Sequence, residues 1–471
     1  MSTEEWIDAW LARHQSPDDD EAWQELRAWA LEEGIVERWS SAAVAYQKLG
    51  YHERARLAHK ETIRSCSDET RGLAYSNYAN FLLELGEVDE ALTIFDLAWE
   101  KHKAPSVGLG FSSALLKACR DQGALDFLLD EEQSLADLAG YWSNLSIAWT
   151  RSGEYIKASH SAEKAYSMDA SQENAFQLSL ARLRLEGPSS IEGWNGFEAR
   201  PNRPSFDASF GTELKSLDEL MSGDRVVVVC EQGIGDILQF LRYVPSLEKA
   251  GARVVIAGTP RLENLIVESF PSSVYVTSPS EALRMRAKFW VPLLSLPRVV
   301  GSYDVGSVQA SYLSAPRSKF SFERDSNLTR VGLAWKGNPL YPNDHLRSAS
   351  LEDFHSVLKD ERLQCFSLLI GEGEQVAGAD LAQLPVDADS EGIFVDTASL
   401  ILTLDVVIST DTSLAHLSGG LGVSTYLLLN NGADWRWGTP ERPNPWYASV
   451  NLIWGDGRGF APAISKVLER L

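Results

Sequence analysis

The chain has 471 residues, 44% of them hydrophobic, and a net charge of −23. That length points to about three domains with packed cores. The charge is opposite to what a nucleic-acid or anionic-membrane surface needs, and no apolar run of about eighteen residues offers a membrane span. The acidic start Met1-Ser2-Thr3-Glu4-Glu5-Trp6 lacks the basic-then-apolar signature of a signal peptide. Cys66, Cys119, Cys230 and Cys365 are scattered without metal-ligand spacing, so reduced thiols and a cytoplasmic location are expected.

Residues 1–190 read as helix after helix, beginning with a capping helix over Glu21 to Glu33. Tyr75, Tyr78, Ala79, Leu82, Gly86, Ala91, Phe95 and Ala98 match the tetratricopeptide pattern, with small residues where paired helices touch. The frame returns at Trp142, Leu145, Ser146, Trp149, Gly153, Ala158, Ala162 and Ala165. A degenerate unit fits between, around Leu109, Ser113, Leu116 and Leu125, and another precedes at Trp39, Ala43, Tyr46, Gly50 and Ala55. Stacked helix pairs form a solenoid whose concave face holds a peptide, or which buttresses the C-terminal half of the chain.

Residues 191–222 read as a linker that packs through Trp194 and Phe197. From Arg225 short apolar strands alternate with amphipathic helices, the texture of parallel α/β sheets. Strands are predicted at 226–230, 253–257, 289–291, 331–335, 366–369, 406–409 and 425–429. The polar stretch 315–328 separates a first lobe, 223–314, from a second, 329–471. The predicted fold class is therefore α + α/β: a tetratricopeptide solenoid followed by two Rossmann-like lobes.

Two strand-to-helix turns carry chemistry. In the first, Glu231-Gln232-Gly233-Ile234-Gly235-Asp236, the glycines allow a tight turn and close ligand approach. Asp236 is either a helix cap or a general base. Gln239, Arg242 and Tyr243 follow on nearly the same face and are candidates for an acceptor site. In the second, Asp411, Thr412 and Ser413 open a helix whose free N–H groups and positive dipole end suit a phosphate. Asp411 fits there only as a cap or as a partner of a sugar hydroxyl. His416, one turn in, is either a packed residue or a ligand contact. Two such turns in two lobes suggest a nucleotide-sugar cleft.

Between them, Trp335-Lys336-Gly337-Asn338-Pro339 and Asn343-Asp344-His345-Leu346-Arg347-Ser348 form a loop at a strand's carboxyl end. Lys336 and Arg347 are candidate partners of a diphosphate, or a solvated basic pair. Val395-Asp396-Thr397-Ala398 opens another helix that the Asp and Thr can cap. The Trp-rich stretches at Asp434-Trp435-Arg436-Trp437 and Pro445-Trp446-Tyr447 either stack on a base or sugar or cover the sheet.

These motifs, in this order, resemble bacterial tetratricopeptide-repeat glycosyltransferases whose C-terminal half is similar to the heptosyltransferase family (glycosyltransferase family nine), flagellin glycosyltransferases among them. The resemblance rests on Glu231 to Asp236 with Gln239, Phe240, Arg242 and Tyr243; on Pro292 to Pro297; on Trp335 to Pro339, Asn343, Asp344, Arg347 and Ser348; and on Asp411, Thr412, Ala415 to Leu417 and Asp434 to Trp437. It implies a GT-B fold, an inverting and metal-independent transfer, no cofactor beyond the donor itself, and Asp236 as base. It also implies that Lys336, Asn338, Arg347, Asp411, Thr412, Ser413 and His416 hold the nucleotide-sugar. Gly233, Gly235, Gln239, Arg242, Tyr243, Trp335, Asp434 and Trp435 would line the cleft. The implied acceptor is a Ser/Thr hydroxyl of a protein, flagellin by resemblance, captured by the repeats. Tyr341 stands where the family pattern has His, and His345 where it has Arg. The rival expectations are a repeat scaffold with an inactive transferase domain, and a glycan or lipid-linked acceptor.

Overall fold

The computed structural model describes residues 7, 9–10, 13, 20–31, 36–301, 311–320, 328–370, 381–443, 446–455, 457 and 459–471. Part of the hinge expected over 315–328 lies outside the described residues, as do Glu33 and Pro445. The chain divides into two compact units, Met1–Ala148 and Trp149–Leu471. The division falls well before the change of sequence texture near residue 190.

The first unit is helical: α1 (Asp20–Leu31), α2 (Val36–Lys48), α3 (His52–Ser65), α4 (Asp68–Glu84), α5 (Val88–His102), α6 (Pro105–Lys117), α7 (Asp121–Asp130) and most of α8 (Ala139–Arg151). They alternate as the tetratricopeptide frame requires. Ala43, Ala55, Ala79 and Ala91 are fully buried, because only a methyl group lets paired helices approach so closely. The turn inside each repeat is the same. Gly50, Gly86 and Gly153 take φ of +80°, +79° and +84°. The following N–H then reaches back five residues, Tyr51 to Tyr46 at 3.0 Å, Glu87 to Leu82 at 2.9 Å and Glu154 to Trp149 at 2.9 Å. This closes the helix end in the left-handed way that glycine permits. In the degenerate repeat Cys119 occupies that place at φ +57°, and Arg120 N–H reaches the Leu115 carbonyl at 2.9 Å. An open groove of about 450 Å³ between α5, α6 and α7 is lined by Leu92, Phe111, Leu115 and Phe127, with Asp96 beside them.

The second unit begins with α9 (Tyr155–Met168), α10 (Gln172–Glu186) and α11 (Ile191–Phe197). Ser171 caps α10 and Ser190 caps α11 through their hydroxyl oxygens. Gly193 is required where α11 crosses α10, since a Cβ there would stand 2.8 Å from Leu183. Trp194, on the same turn, meets Phe240, Trp435 and Trp446 edge-on at ring separations of 6.0, 5.8 and 6.5 Å. The segment read as a linker thus packs into the α/β core.

Two all-parallel sheets complete the unit. The first runs β1-β5-β2-β3-β4, from Thr212–Glu213, Phe289–Pro292, Arg225–Val229, Arg253–Ala257 and Val274–Val276. Its edge strand β1 comes from the segment read as a linker. The second runs β11-β10-β9-β6-β7-β8, from Val450–Trp454, Thr425–Leu429, Val406–Thr410, Thr329–Ala334, Leu363–Ser367 and Ala382–Gln383. Central strands such as β9 are buried at every position, as a sheet covered on both faces demands. The connecting helices include α12 (Ile234–Phe240) after β2, α13 (Val395–Ile401), and α14 (Ser413–Leu421) after β9. Tyr312 and Leu313, leaving the first lobe, both donate to the Gly420 carbonyl of α14 at 3.0 Å. Among the described residues no helix is long and apolar enough to cross a membrane.

Candidate functional site

The first loop is anchored before it turns. Glu231 is buried and takes a bidentate pair from the fully buried Arg200, with Nη2 at 2.6 Å and Nε at 3.0 Å, plus the Leu294 N–H at 3.2 Å. Gln232 then adopts φ +63°, its amide donating to the Pro201 carbonyl at 3.1 Å. This turn delivers Asp236 on the first turn of α12. One oxygen of Asp236 accepts the Gly233 N–H at 3.0 Å, so Asp236 does cap the helix. Its other oxygen pairs with Arg436, which comes from the second lobe. Gly235 brings the lobes together: a Cβ there would stand 3.0 Å from the His416 ring.

Arg436 sits in a short turn, Trp435–Trp437, capped by Asp434. Its Nη1 lies 3.1 Å from the Asp434 carboxylate, so one guanidinium serves carboxylates from both lobes. The loop is held from below. Arg184 of α10, itself buried, donates to the Gly438 carbonyl at 3.3 Å and the Asp434 carbonyl at 3.5 Å. The Trp446 indole N–H donates to the Arg436 carbonyl.

Across the cleft, Thr412 caps α14 by accepting the Leu414 N–H at 3.3 Å, with Ser413 partly exposed beside it. Arg347 donates to the Asp411 carbonyl at 3.1 Å and to Asp344 at 3.0 Å, and lies 4.4 Å over the Tyr341 ring. Gly337 lies directly against it, where a Cβ would stand 2.6 Å from its Nη2. Asn338 shapes the loop, its side chain accepting the Leu340 N–H at 3.0 Å; Lys336, two positions earlier, is partly exposed. Burial and the Asp434 charge push the Asp411 carboxyl up to about 6, against the pull of Arg436 and Arg347. Burial likewise raises Asp236, with Arg436 opposing and Asp434 assisting. His416 is buried, stacked on Trp437 at 5.3 Å, with Nδ1 2.8 Å from the Tyr447 hydroxyl. Burial, with three nearby arginines, holds it well below the usual histidine range, so it is a neutral packed ring.

The structure therefore brings together Asp236, Asp411, Thr412, Ser413, Asp434 and Arg347. Other candidates lie elsewhere. Gln239 is fully buried; Arg242 is buried with Nη1 on the Trp446 carbonyl and its guanidinium 4.3 Å from the Tyr447 ring. Tyr243 is buried against Phe240. None of the three lines open space: Gln239 is in the last turn of α12 and Arg242 and Tyr243 sit in the turn after it, all buried, with Arg242 reaching the second lobe. Trp335 is in the core of the second lobe, and Trp435 is wedged among Trp194, Phe197 and Trp446, so neither offers a stacking face. Tyr341, where the pattern has His, is the shelf under Arg347. Arg436 and Arg184 were not among the sequence candidates. Arg436 had a signal, a lone cation between two tryptophans. Arg184 had none, since its partners lie 250 and 254 residues away.

Beside the cleft, a cavity of about 430 Å³ opens at the carboxyl ends of β2 and β3, lined by Phe206, Phe210, Cys230, Ile234, Ile237 and Ile393. Helix α12 thus presents isoleucines to an apolar cavity and Asp236 to the charged cleft.

Fold and site together define a helical-repeat protein with a two-lobed parallel α/β body and a charged inter-lobe cleft. No family model matches the chain. It is similar to Protein FlbA of Caulobacter vibrioides, 24% identical over 436 residues, spanning 84% of this chain and 72% of that one. Among solved structures, it is similar to TTC0263, a TPR protein of Thermus thermophilus, with 18% identity and a TM-score of 0.31, over 36% of this chain and 93% of that one. MamA (41-end) of Desulfovibrio magneticus gives 17%, 0.28, 35% and 90%.

Proposed function

We propose that the second unit is a glycosyltransferase moving a sugar from a nucleotide-sugar to a hydroxyl of a protein that the repeats capture. The observation that carries this reading is Asp236, a half-buried carboxylate from one lobe, facing Arg436, Arg347 and the start of α14 from the other. Base and leaving-group cations then come from the two lobes that meet at one cleft, with Arg436 already in contact with Asp236. In the reaction, Asp236 takes the acceptor hydroxyl's proton. The hydroxyl oxygen bonds to the anomeric carbon as the bond from that carbon to the donor phosphate oxygen breaks. The electron pair goes to the phosphate, where Arg436, Arg347, Lys336 and the N–H groups near Thr412 and Ser413 would meet it. The apolar groove between α5, α6 and α7 supports a peptide partner for the first unit, and flagellin enters only through the family resemblance.

The test is a thermal-shift panel with UDP, GDP, ADP, CMP and their common sugars. Ligand binding to the native state raises the melting temperature by an amount set by concentration over affinity. A rise with one nucleotide, lost in Lys336→Ala and Arg347→Ala, identifies the donor class. Asp236→Ala should then abolish transfer and keep that rise; retained transfer rules out Asp236 as base. No rise with any nucleotide points instead to a repeat scaffold around an inactive transferase domain.

A further inference from the structure

Both oxygens of Asp236 are already engaged, one by the Gly233 N–H and one by Arg436. A carboxylate paired with a guanidinium is a poor proton acceptor, because the nearby positive charge stabilises its ionised form. Arg436 is shared besides with Asp434, and its Nε is buried without a hydrogen-bond partner among the described residues. The site therefore holds an unspent donor on a cation that two carboxylates occupy. Asp236, Asp434 and Asp411 all bear on the Arg436 guanidinium, so a diphosphate entering there competes with carboxylates for that one cation.

We propose that Arg436 is an exchangeable cation: Asp236 holds it before the donor binds, and the donor diphosphate takes it over, freeing Asp236 to accept a proton. The inference rests on the transferase reading above. It assigns Arg436 a positioning role toward Asp236 and a binding role toward phosphate. It also makes the order of events compulsory, since the base stays masked until the donor is in place. A freed Asp236 is the better base, because burial and Asp434 both disfavour its charged form and Arg436 is the chief influence opposing them.

The competition has a measurable sign. Titration calorimetry of the full chain with inorganic pyrophosphate compares wild type, Asp236→Asn, Arg436→Gln and the double variant. Removing the competing carboxylate should tighten pyrophosphate binding by about fivefold or more, a coupling of the size usual between linked sites. Arg436→Gln should weaken it, and Asp236→Asn should bring no tightening in that background. Equal affinity of wild type and Asp236→Asn overturns the exchange and leaves the donor-site reading standing. Tightening of equal size with and without Arg436 reflects net charge alone and overturns it too. Binding by none of the four proteins, with no nucleotide-induced stabilisation, overturns both readings. If Asp236→Asn does not fold, Asp236→Ser carries the same expectations.

Discussion

Gly235 lies against His416, the backbone of one lobe touching the imidazole of the other, with room for a Cβ only at 3.0 Å from the ring. His416 cannot give way, being stacked on Trp437 and bonded to Tyr447. Gly235→Val should therefore push α12 from α14 and cost about 1–3 kcal/mol, as overpacking does. Urea unfolding of wild type and variant measures this; an unchanged midpoint would mean the lobes part freely there.

The buried Arg200–Glu231 pair makes a second prediction. Arg200 is fully buried and its bidentate partner nearly so. Glu231→Gln removes the bidentate carboxylate and leaves the buried guanidinium facing Glu198 at 3.3 Å and the Ser295 hydroxyl, and should cost about 3 kcal/mol, the low end for a broken buried pair. Arg200→Met with Glu231→Leu should recover most of that, because an apolar pair replaces a desolvated one. Chemical denaturation of wild type and the two variants checks both halves.

Cys119 is the one residue of the four repeat turns that is not glycine, and it holds a left-handed φ of +57°. Cys119→Gly should stabilise the first unit by about 0.5–1 kcal/mol, the strain relieved less the added chain entropy. Cys119→Ala should bring no such gain, since it keeps the Cβ. Melting temperatures of the two variants separate the backbone effect from loss of the thiol.

His59 is buried against Tyr78 and Phe81, and burial lowers its pKa from 6.5 to about 4. The unfolded chain thus binds a proton that the folded chain refuses between those values. Stability is whole above pH 6.5 and declines as the pH falls toward 4, by on the order of 3 kcal/mol at most. His59→Phe should flatten that segment of the stability–pH profile, which denaturation on either side of the histidine's ordinary pKa tests.

Much of this architecture is written in local sequence. The glycines at 50, 86 and 153 and the alanines around them announce the repeats. The runs at 226–229, 253–257 and 425–429 announce buried parallel strands, because a strand covered on both faces must be apolar throughout. Strands β1, β4 and β8 escaped because two or three residues carry no period, and β11 because Asn451 interrupts its apolar run. At the cleft, Asp236 and the Asp411–Ser413 helix start were legible as turn chemistry. The burial of Gln239, Arg242 and Tyr243 was not, since helical spacing says which residues share a face and not what that face meets. Arg184 could not be found from sequence: its whole role is a contact with a loop that forms far along the chain.

That contact fixes where the protein can be cut. Residues 149–471 should be soluble and fold cooperatively, whereas residues 191–471 should not, having lost α9 and α10 and with them Arg184 under the Asp434–Gly438 loop. Expression of both fragments and their unfolding transitions decide the matter; a cooperative 191–471 fragment would show that the hairpin is dispensable.

The attachment of α10 to the tryptophan loop also bears on how such a protein diversifies. A repeat array is easily lengthened, shortened or exchanged, because each unit is a near copy of its neighbours. The hairpin of α9 and α10 keeps the repeat's outward form, yet through Arg184 its inner side is committed to a loop of another module. Recombination upstream of it can supply new repeats and leave the cleft untouched. Recombination downstream of it removes a wall of the cleft. That hairpin is inherited as part of the α/β body, a fixed coupling to which exchangeable repeats are joined.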